Sequence, residues 1–387
     1  MAGKIIHLKV LREKGVLMMD ARSPSEFAEA HIPGALSFPL FDDAERAEVG
    51  TLYKQEGREM AVERGLEFIG PRMADMVRSA KALFADQPDR RPIHMYCWRG
   101  GMRSGSLSWL LRTAGLPVVL LEGGYKAYKQ TLPELMGQEW PLVRIGGYTG
   151  SAKTAVLHAL AEAGEQTVDL EGLARHFGSA FGNLNRHDQP TSEHFRNLLA
   201  ECLVGLDPTR RIWVENESRK IGKVHVPEPF YKRMIACPAL EMLRSTRDRV
   251  DHVVGMYGAY DKALLHQAFE AIRSELGGAE TTEALAALQQ DDLATAARIA
   301  LDYYDRTYEH GLQKRAGDNR HPVEAQGLPF SGQCPFPISS NHLILQDGFG
   351  SMYSEPTTRA VPVLNGSSSN WSWLRMGDGG VGGGRGV

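Results

Sequence analysis

The stretch Gly147-Tyr148-Thr149-Gly150-Ser151-Ala152-Lys153-Thr154 constrains the fold more than any other part of the chain. An apolar run at 141–145 precedes it, and 155–163, whose hydrophobic spacing is helical, follows. A strand that turns through glycines straight into a helix closes as part of a parallel βαβ unit, because the helix must carry the chain back across the sheet. Amides of such a loop converge and cradle phosphate oxygens. In that reading Gly147, Gly150 and Ser151 line the cradle, Lys153 reaches the oxygens of a diphosphate, and the Thr154 hydroxyl could hold Mg2+. Ala152 stands where a glycine is expected, and its methyl is expected to crowd the phosphate or to bar the loop from φ > 0. Taken alone, the loop also reads as a plain strand-turn-helix. The apolar strand at 212–214, ending in Glu215 with Glu217 beyond, favours the phosphate reading, since acids there could hold Mg2+ or water.

Strands and helices alternate elsewhere. Residues 16–19, 93–96 and 117–121 read as short buried strands, and 73–84 and 104–114 are amphipathic. The predicted fold class is therefore α/β, in two parallel-sheet units at 1–135 and 136–315. The second has further strands at 166–170 and 211–215 and a helical cap over 281–314. In that cap Leu285, Leu288, Leu293, Ile299 and Leu301 form an apolar stripe, and Asp302 is spaced to pair with Arg306. Past Arg315, proline, serine, glycine and isolated aromatics replace periodic hydrophobics, so 316–387 is predicted to be an irregular or flexible tail.

Cys97 follows the run 93–96 and opens Cys97-Trp98-Arg99-Gly100-Gly101-Met102-Arg103-Ser104, after which a helix starts. Amides wrapped around a sulfur at a helix N-terminus, with Arg99 and Arg103 beside it, favour a thiolate, and the same nest binds tetrahedral anions. A free cysteine is commonly just a small buried hydrophobe. Two glycines and two arginines in a loop after a strand weigh against that reading here. Cys202, Cys237 and Cys334 are too scattered for a metal knuckle or a disulfide framework.

Asp20-Ala21-Arg22-Ser23-Pro24-Ser25-Glu26-Phe27, then His31-Ile32-Pro33-Gly34-Ala35, the Cys97 loop and Leu121-Glu122-Gly123-Gly124-Tyr125 stand in the order of a rhodanese domain, which the first unit resembles. The resemblance implies that Cys97 carries sulfur or selenium as a persulfide or perselenide, and that Asp20 and Arg22 are structural. His31 reads as a satisfied turn histidine. The loop is Cys-x5-Arg, longer by one residue than that of simple thiosulfate sulfurtransferases and closer to the rhodanese-like phosphatases.

A rhodanese domain followed by a P-loop NTPase-like domain is a rare pairing, and from about Ile5 to Arg315 the chain resembles the bacterial tRNA 2-selenouridine synthases. The segments 45–54, 123–129, 169–174 and 214–222 agree with that family. The chain departs from it at Ala152, at Phe177, where the family tends to place arginine after His176, and after Arg315. The resemblance implies conversion of wobble 2-thiouridine in tRNA to 2-selenouridine through an S-geranyl intermediate. Geranyl diphosphate and selenophosphate would be co-substrates, with no tightly bound organic cofactor, and the selenophosphate-producing enzyme is a candidate partner. Thr154 and Glu215 are the candidate metal ligands.

With 47 acidic and 44 basic residues, a net charge of -3 excludes a protein that coats nucleic acid by bulk charge. A tRNA would need a local cationic surface. The candidates are Lys126 and Lys129 beside Tyr125 and Tyr128, whose rings could stack on bases, the pair Arg210 and Arg211, and Arg244 and Arg247 with Arg249. Each cluster singly reads equally well as solvated surface. No apolar run nears the ~18–20 residues of a membrane span, and the first residues carry Lys4, His7 and Lys9, so a cytoplasmic protein without a membrane partner is expected. Other functions compatible with these residues are a rhodanese-like sulfurtransferase or Cys-x5-Arg phosphatase fused to a nucleotide-binding domain, or an RNA-binding module with an inactive P-loop. The phosphatase needs a general acid that the loop does not supply.

Overall fold

Short apolar runs become the strands β1 (Met18–Asp20), β2 (Leu36–Ser37), β3 (Ile93–Tyr96) and β4 (Val118–Leu120). The computed structural model describes residues 15–184, 188–313 and 319–325. These strands pair in the order β2-β1-β3-β4, each pair parallel. From β1 the chain steps outward to β2 and returns to β3 on the other side of β1, so the loops after β1 and β3 meet at a switch point. Ala21 and Cys97 begin those loops, tied by the Ala21 N–H donating to the Tyr96 carbonyl at 2.8 Å.

The second sheet contains β5 (Leu142–Gly146), β6 (Gln166–Val168) and β7 (Ile212–Glu215). After a small antiparallel hairpin of β8 (Lys220–Ile221) and β9 (Val224–His225), it adds β10 (Ala239–Leu243) and β11 (Arg320–Glu324). Its order is β11-β10-β5-β7-β6, again all parallel. Because β6 and β7 lie to one side of β5 and β10 and β11 to the other, the residues after Gly146 sit at the second switch point. An α/β fold with two parallel sheets is thus what the sequence predicts and what the structure has.

Strand β11 corrects the boundary drawn at Arg315. It lies in the segment expected to be irregular, yet it pairs with β10 from Ala239↔Arg320 to Leu243↔Glu324. Ala325, fully buried against Val143 and Ile145, anchors its end. Residues 326–387 of the predicted tail lie outside the described residues.

The Gly124–Met136 helix buries Tyr125, Tyr128, Leu132, Leu135 and Met136. They belong to one continuous core that runs from Met18, Ile32 and Tyr96 of the first unit to Phe195, Leu199 and Ile212 of the second. The helical cap comprises Thr246–Tyr257, Lys262–Ala271, Arg273–Leu276, Gly278–Gln289 and Leu293–Gln313. Leu285, Leu288 and Ile299 share a core there, as their spacing predicts. Asp302 pairs with Arg298 at 3.4 Å, one turn before it, in place of the expected Arg306. Among the described residues no helix is long and apolar enough to cross a membrane.

Candidate active sites

Cys97 leaves the end of β3 and its loop enters the Met102–Thr113 helix, as the sequence predicts. The loop is clamped by the start of the Gly124–Met136 helix: the Tyr125 N–H donates to the Cys97 carbonyl (2.9 Å) and the Lys126 N–H to the Trp98 carbonyl (2.8 Å). Gly124, at φ +60°, permits this approach, since a Cβ there would run into the Cys97 carbonyl and the Gly100 amide. The sulfur is buried and accepts a hydrogen bond from the Ser104 hydroxyl at 3.2 Å. Ser104 was legible only as the residue after the loop arginine, and its contact is new.

Of the two arginines expected beside the sulfur, Arg103 is committed to a carboxylate. It turns to Glu26, with one Nη2–Oε1 bond of 3.2 Å and a shorter one from Nη1, a charge-assisted pair with a partly buried carboxylate 77 positions away in sequence. Arg46 stands 3.6 Å from the same carboxylate. Burial pushes the Glu26 carboxyl up, but Arg103 and Arg46 outweigh it and hold the group below its ordinary range. Arg99 is exposed. Asp20 and Arg22 form a buried pair at 2.6 Å, with Arg22 also donating to the Ala30 carbonyl at 2.7 Å, which is the expected structural role. His31 bonds through Nδ1 with the Phe27 carbonyl at 2.8 Å and stacks on the Phe27 ring, a locally satisfied histidine.

At the second switch point Gly147, Gly150 and Ala152 take φ of +134°, +79° and +65°. An alanine therefore does adopt the left-handed conformation its methyl was expected to bar, at a cost of about 1–2 kcal/mol. Lys153 folds back on its own loop, Nζ donating to the carbonyls of Gly147 (3.1 Å) and Tyr148 (3.5 Å). Ser151 is buried, and its hydroxyl has no partner among the described residues. The Leu293–Gln313 helix lies against the loop. Its Tyr308 hydroxyl accepts from the Gly147 N–H (3.1 Å) and donates to Glu241 (2.8 Å), while Asp305 takes a two-pronged contact from Arg249.

The Thr154 hydroxyl donates to Glu171, at 2.9 Å, and the Glu171 N–H donates to Glu215 at 3.2 Å. Glu171 follows β6 and is a site residue the sequence reading missed, although Asp169-Leu170-Glu171 after a strand was a usable signal. Burial and the charge of Glu217 push its carboxyl up to about 7, against the pull of Lys153 and Thr154. Burial, then Glu171, push the fully buried Glu215 well above the carboxylate range. Glu215 Oε1 has no partner among the described residues. Crowded, partly orphaned carboxylates beside a hydroxyl fit a hard cation such as Mg2+. Among the described residues no three His, Cys, Asp or Glu side chains form a metal site on their own, so phosphate and water oxygens would complete the shell.

The six nucleic-acid candidates are not one surface. Arg210 and Arg211 precede β7, at the amino end of the sheet, whereas Arg244 and Arg247 follow β10 at the carboxyl end, where the P-loop is. Arg211 pairs with Glu165 at 3.0 Å, Lys129 pairs with Glu193 at 2.6 Å, and Arg244 is buried. Lys126, Arg210 and Arg247 are exposed. Tyr125 and Tyr128 cannot stack on bases, because both are fully buried in the shared core.

Comparison with known proteins matches both halves in order. The rhodanese-like domain family covers residues 7–131, and the family described as the tRNA 2-selenouridine synthase AAA domain covers 140–324. Proteins named tRNA 2-selenouridine synthase are similar over about four fifths of the chain: from Shewanella pealeana at 33% identity over 77% of this chain and 89% of that protein, and from Bdellovibrio bacteriovorus at 32% over 80% and 92%. The one from Cupriavidus necator is 36% identical over 78% and 89%. A crystal structure of the N-terminal domain of a protein described as ATP/GTP binding, from Clostridium difficile 630, covers 32% of this chain and 92% of its own at 40% identity, with a TM-score of 0.30. Matched in both halves and along most of its relatives' length, the chain belongs to the tRNA 2-selenouridine synthase family, a family of enzymes.

Proposed function

We propose that the chain replaces the sulfur of wobble 2-thiouridine in tRNA by selenium, in two steps on two loops, in the cytoplasm. In the first, the thiocarbonyl sulfur attacks C1 of geranyl diphosphate, the carbon–oxygen bond to diphosphate breaks, and the N3 proton leaves, giving S-geranyl-2-thiouridine. In the second, the selenium of selenophosphate attacks C2, geranylthiolate departs and takes a proton, and water cleaves the selenium–phosphorus bond to release phosphate. Alkylation comes first because a thiocarbonyl sulfur is a good nucleophile but a poor leaving group.

The observation that carries the first step is the P-loop itself. Its strand-to-helix turn, with Gly147, Gly150 and Ala152 all at positive φ, is the kind of loop whose amides can take an anion, and Lys153, now resting on the carbonyls of Gly147 and Tyr148, needs only to turn outward to meet one. Such a cradle stabilises the charge that grows on a departing diphosphate. Mg2+ held through Thr154 with Glu215 or Glu171 would add positive charge opposite that group. In the second step the Cys97 loop presents the selenium donor, and Ser104 steadies the sulfur. Exposed Lys126 beside that loop and Arg247 beside the P-loop are the cations left to meet RNA phosphates. The selenophosphate-producing enzyme is a proposed partner that would deliver the donor. A phosphatase is disfavoured, since Glu26, the carboxyl tied to the loop, is held ionised by Arg103 and Arg46 and is a poor proton donor.

Nucleoside mass spectrometry of 2-thiouridine tRNA incubated with each co-substrate tests the scheme. Lys153→Ala should give neither product, and Cys97→Ala should accumulate the S-geranyl nucleoside without 2-selenouridine. Normal selenouridine formation by Cys97→Ala would return the rhodanese unit to a structural role.

A further inference from the structure

Beside the P-loop the cap forms a part-open, almost wholly apolar pocket with an accessible volume of about 60 Å3. Thr149 of the P-loop forms part of its wall. The rest is carbon-rich, with Val253, Tyr257, Phe269, Ala297 and Ala300 among the contributors, and no charged side chain lines it. A purine base would bring several ring donors and acceptors into such walls and leave most of them unpaired, at a cost of about 1–3 kcal/mol each. A hydrocarbon chain brings none. Adjacency to a diphosphate cradle further selects a molecule with an anionic head and an apolar tail. Room for the tail is made by Ala297 and Ala300 on the Leu293–Gln313 helix, where longer side chains would fill the space.

We propose that this cavity holds the hydrocarbon chain of an allylic prenyl diphosphate whose head lies on the P-loop, and that the small side chains of Ala297 and Ala300 set the chain length accepted. The inference rests on the proposed use of geranyl diphosphate, and adds where the chain goes and what limits it. Each buried carbon strengthens binding, so affinity should climb from inorganic diphosphate through dimethylallyl to geranyl diphosphate, the last binding roughly 30- to 1,000-fold tighter than inorganic diphosphate.

Calorimetric titration of the full chain with these three compounds in the presence of Mg2+ tests the proposal. In Ala300→Leu, geranyl diphosphate should lose about tenfold or more in affinity while the two smaller compounds stay within about threefold. If geranyl diphosphate binds the unsubstituted protein no more tightly than inorganic diphosphate, the donor reading itself fails. If it binds more tightly but Ala300→Leu keeps the whole preference, the cavity assignment is overturned and the donor reading stands. A measurement that needs no substitution covers the case of a variant that does not fold. Geranyl diphosphate bearing a diazirine at the chain end, photolysed on the unsubstituted protein, should label peptides within 253–269 or 288–304, and labelling confined to other peptides refutes the proposal.

Discussion

Ala152→Gly separates two accounts of the P-loop that predict opposite signs. Ala152 sits at φ +65° and is 7% exposed. Glycine relieves the left-handed strain, about 1–2 kcal/mol. It also frees the unfolded chain, which costs about 0.4–1 kcal/mol, and removes one buried methyl, about 0.8 kcal/mol. The three contributions nearly cancel, so stability should stay within about 1 kcal/mol of the parent. Binding then decides. If the methyl crowds the phosphate, glycine tightens binding of inorganic diphosphate. The structure points the other way: the alanine already holds the loop in its cradle conformation, with the methyl largely covered. A glycine loop must give up extra freedom to close on the ligand, and the same 0.4–1 kcal/mol becomes a roughly two- to fivefold rise in Kd. Titration calorimetry with Mg2+ and diphosphate, alongside urea denaturation, measures both quantities. A tighter Kd in Ala152→Gly would refute the preorganisation argument and restore the crowding one.

Glu171→Gln should stabilise the metal-free protein in a pH-dependent way. A carboxyl raised from 4.5 to about 7 contributes stability that is complete below pH 4.5 and lost as pH rises through 7. The variant's gain should therefore be near zero at pH 4.5 and approach about 3 kcal/mol at pH 8 in chelator, and equal denaturation midpoint shifts at both pH values would contradict this. Gly124→Ala forces a methyl into the Cys97 carbonyl and the Gly100 amide; a loss of about 3 kcal/mol or more is expected, with selenouridine formation reduced more than geranylation, and an unchanged melting temperature argues against the clamp. Truncation after Gln313 deletes β11 and uncovers the edge of β10 and the neighbours of Ala325; the expected result is aggregation or a lower melting temperature, checked by light scattering and thermal denaturation.

Much of this fold was legible because its strands are apolar runs bounded by turns. Ile93–Tyr96 was placed to the residue, and both switch-point loops were located from glycines lying between a strand and a helix. Strand β11 was not legible for the opposite reason. Arg-His-Pro-Val-Glu has no apolar alternation and contains a proline, which only an edge strand tolerates, and its strand character comes from β10. Side-chain roles were less visible than backbone ones. Tyr125 and Tyr128, three apart on a helix, could face solvent or core, and only the packing of a second unit against them decides for the core. The turn of Arg103 toward Glu26 depends on a contact across the fold that local spacing does not encode.

The Gly124–Met136 helix grips the Cys97 loop with its first turn and lies in the core of the second unit along its length. A helix shared in this way is a strut, and a strut leaves no hinge by which one loop could swing toward the other. On the proposed chemistry the nucleotide has to do the travelling. The wobble base would be alkylated at one station, let go, and taken up at the other while the rest of the anticodon arm stays docked. The mobility of a few RNA torsions, and not a protein motion, would then set the tempo between the two steps, so a tRNA with a stiffened anticodon loop should stall at the geranylated stage.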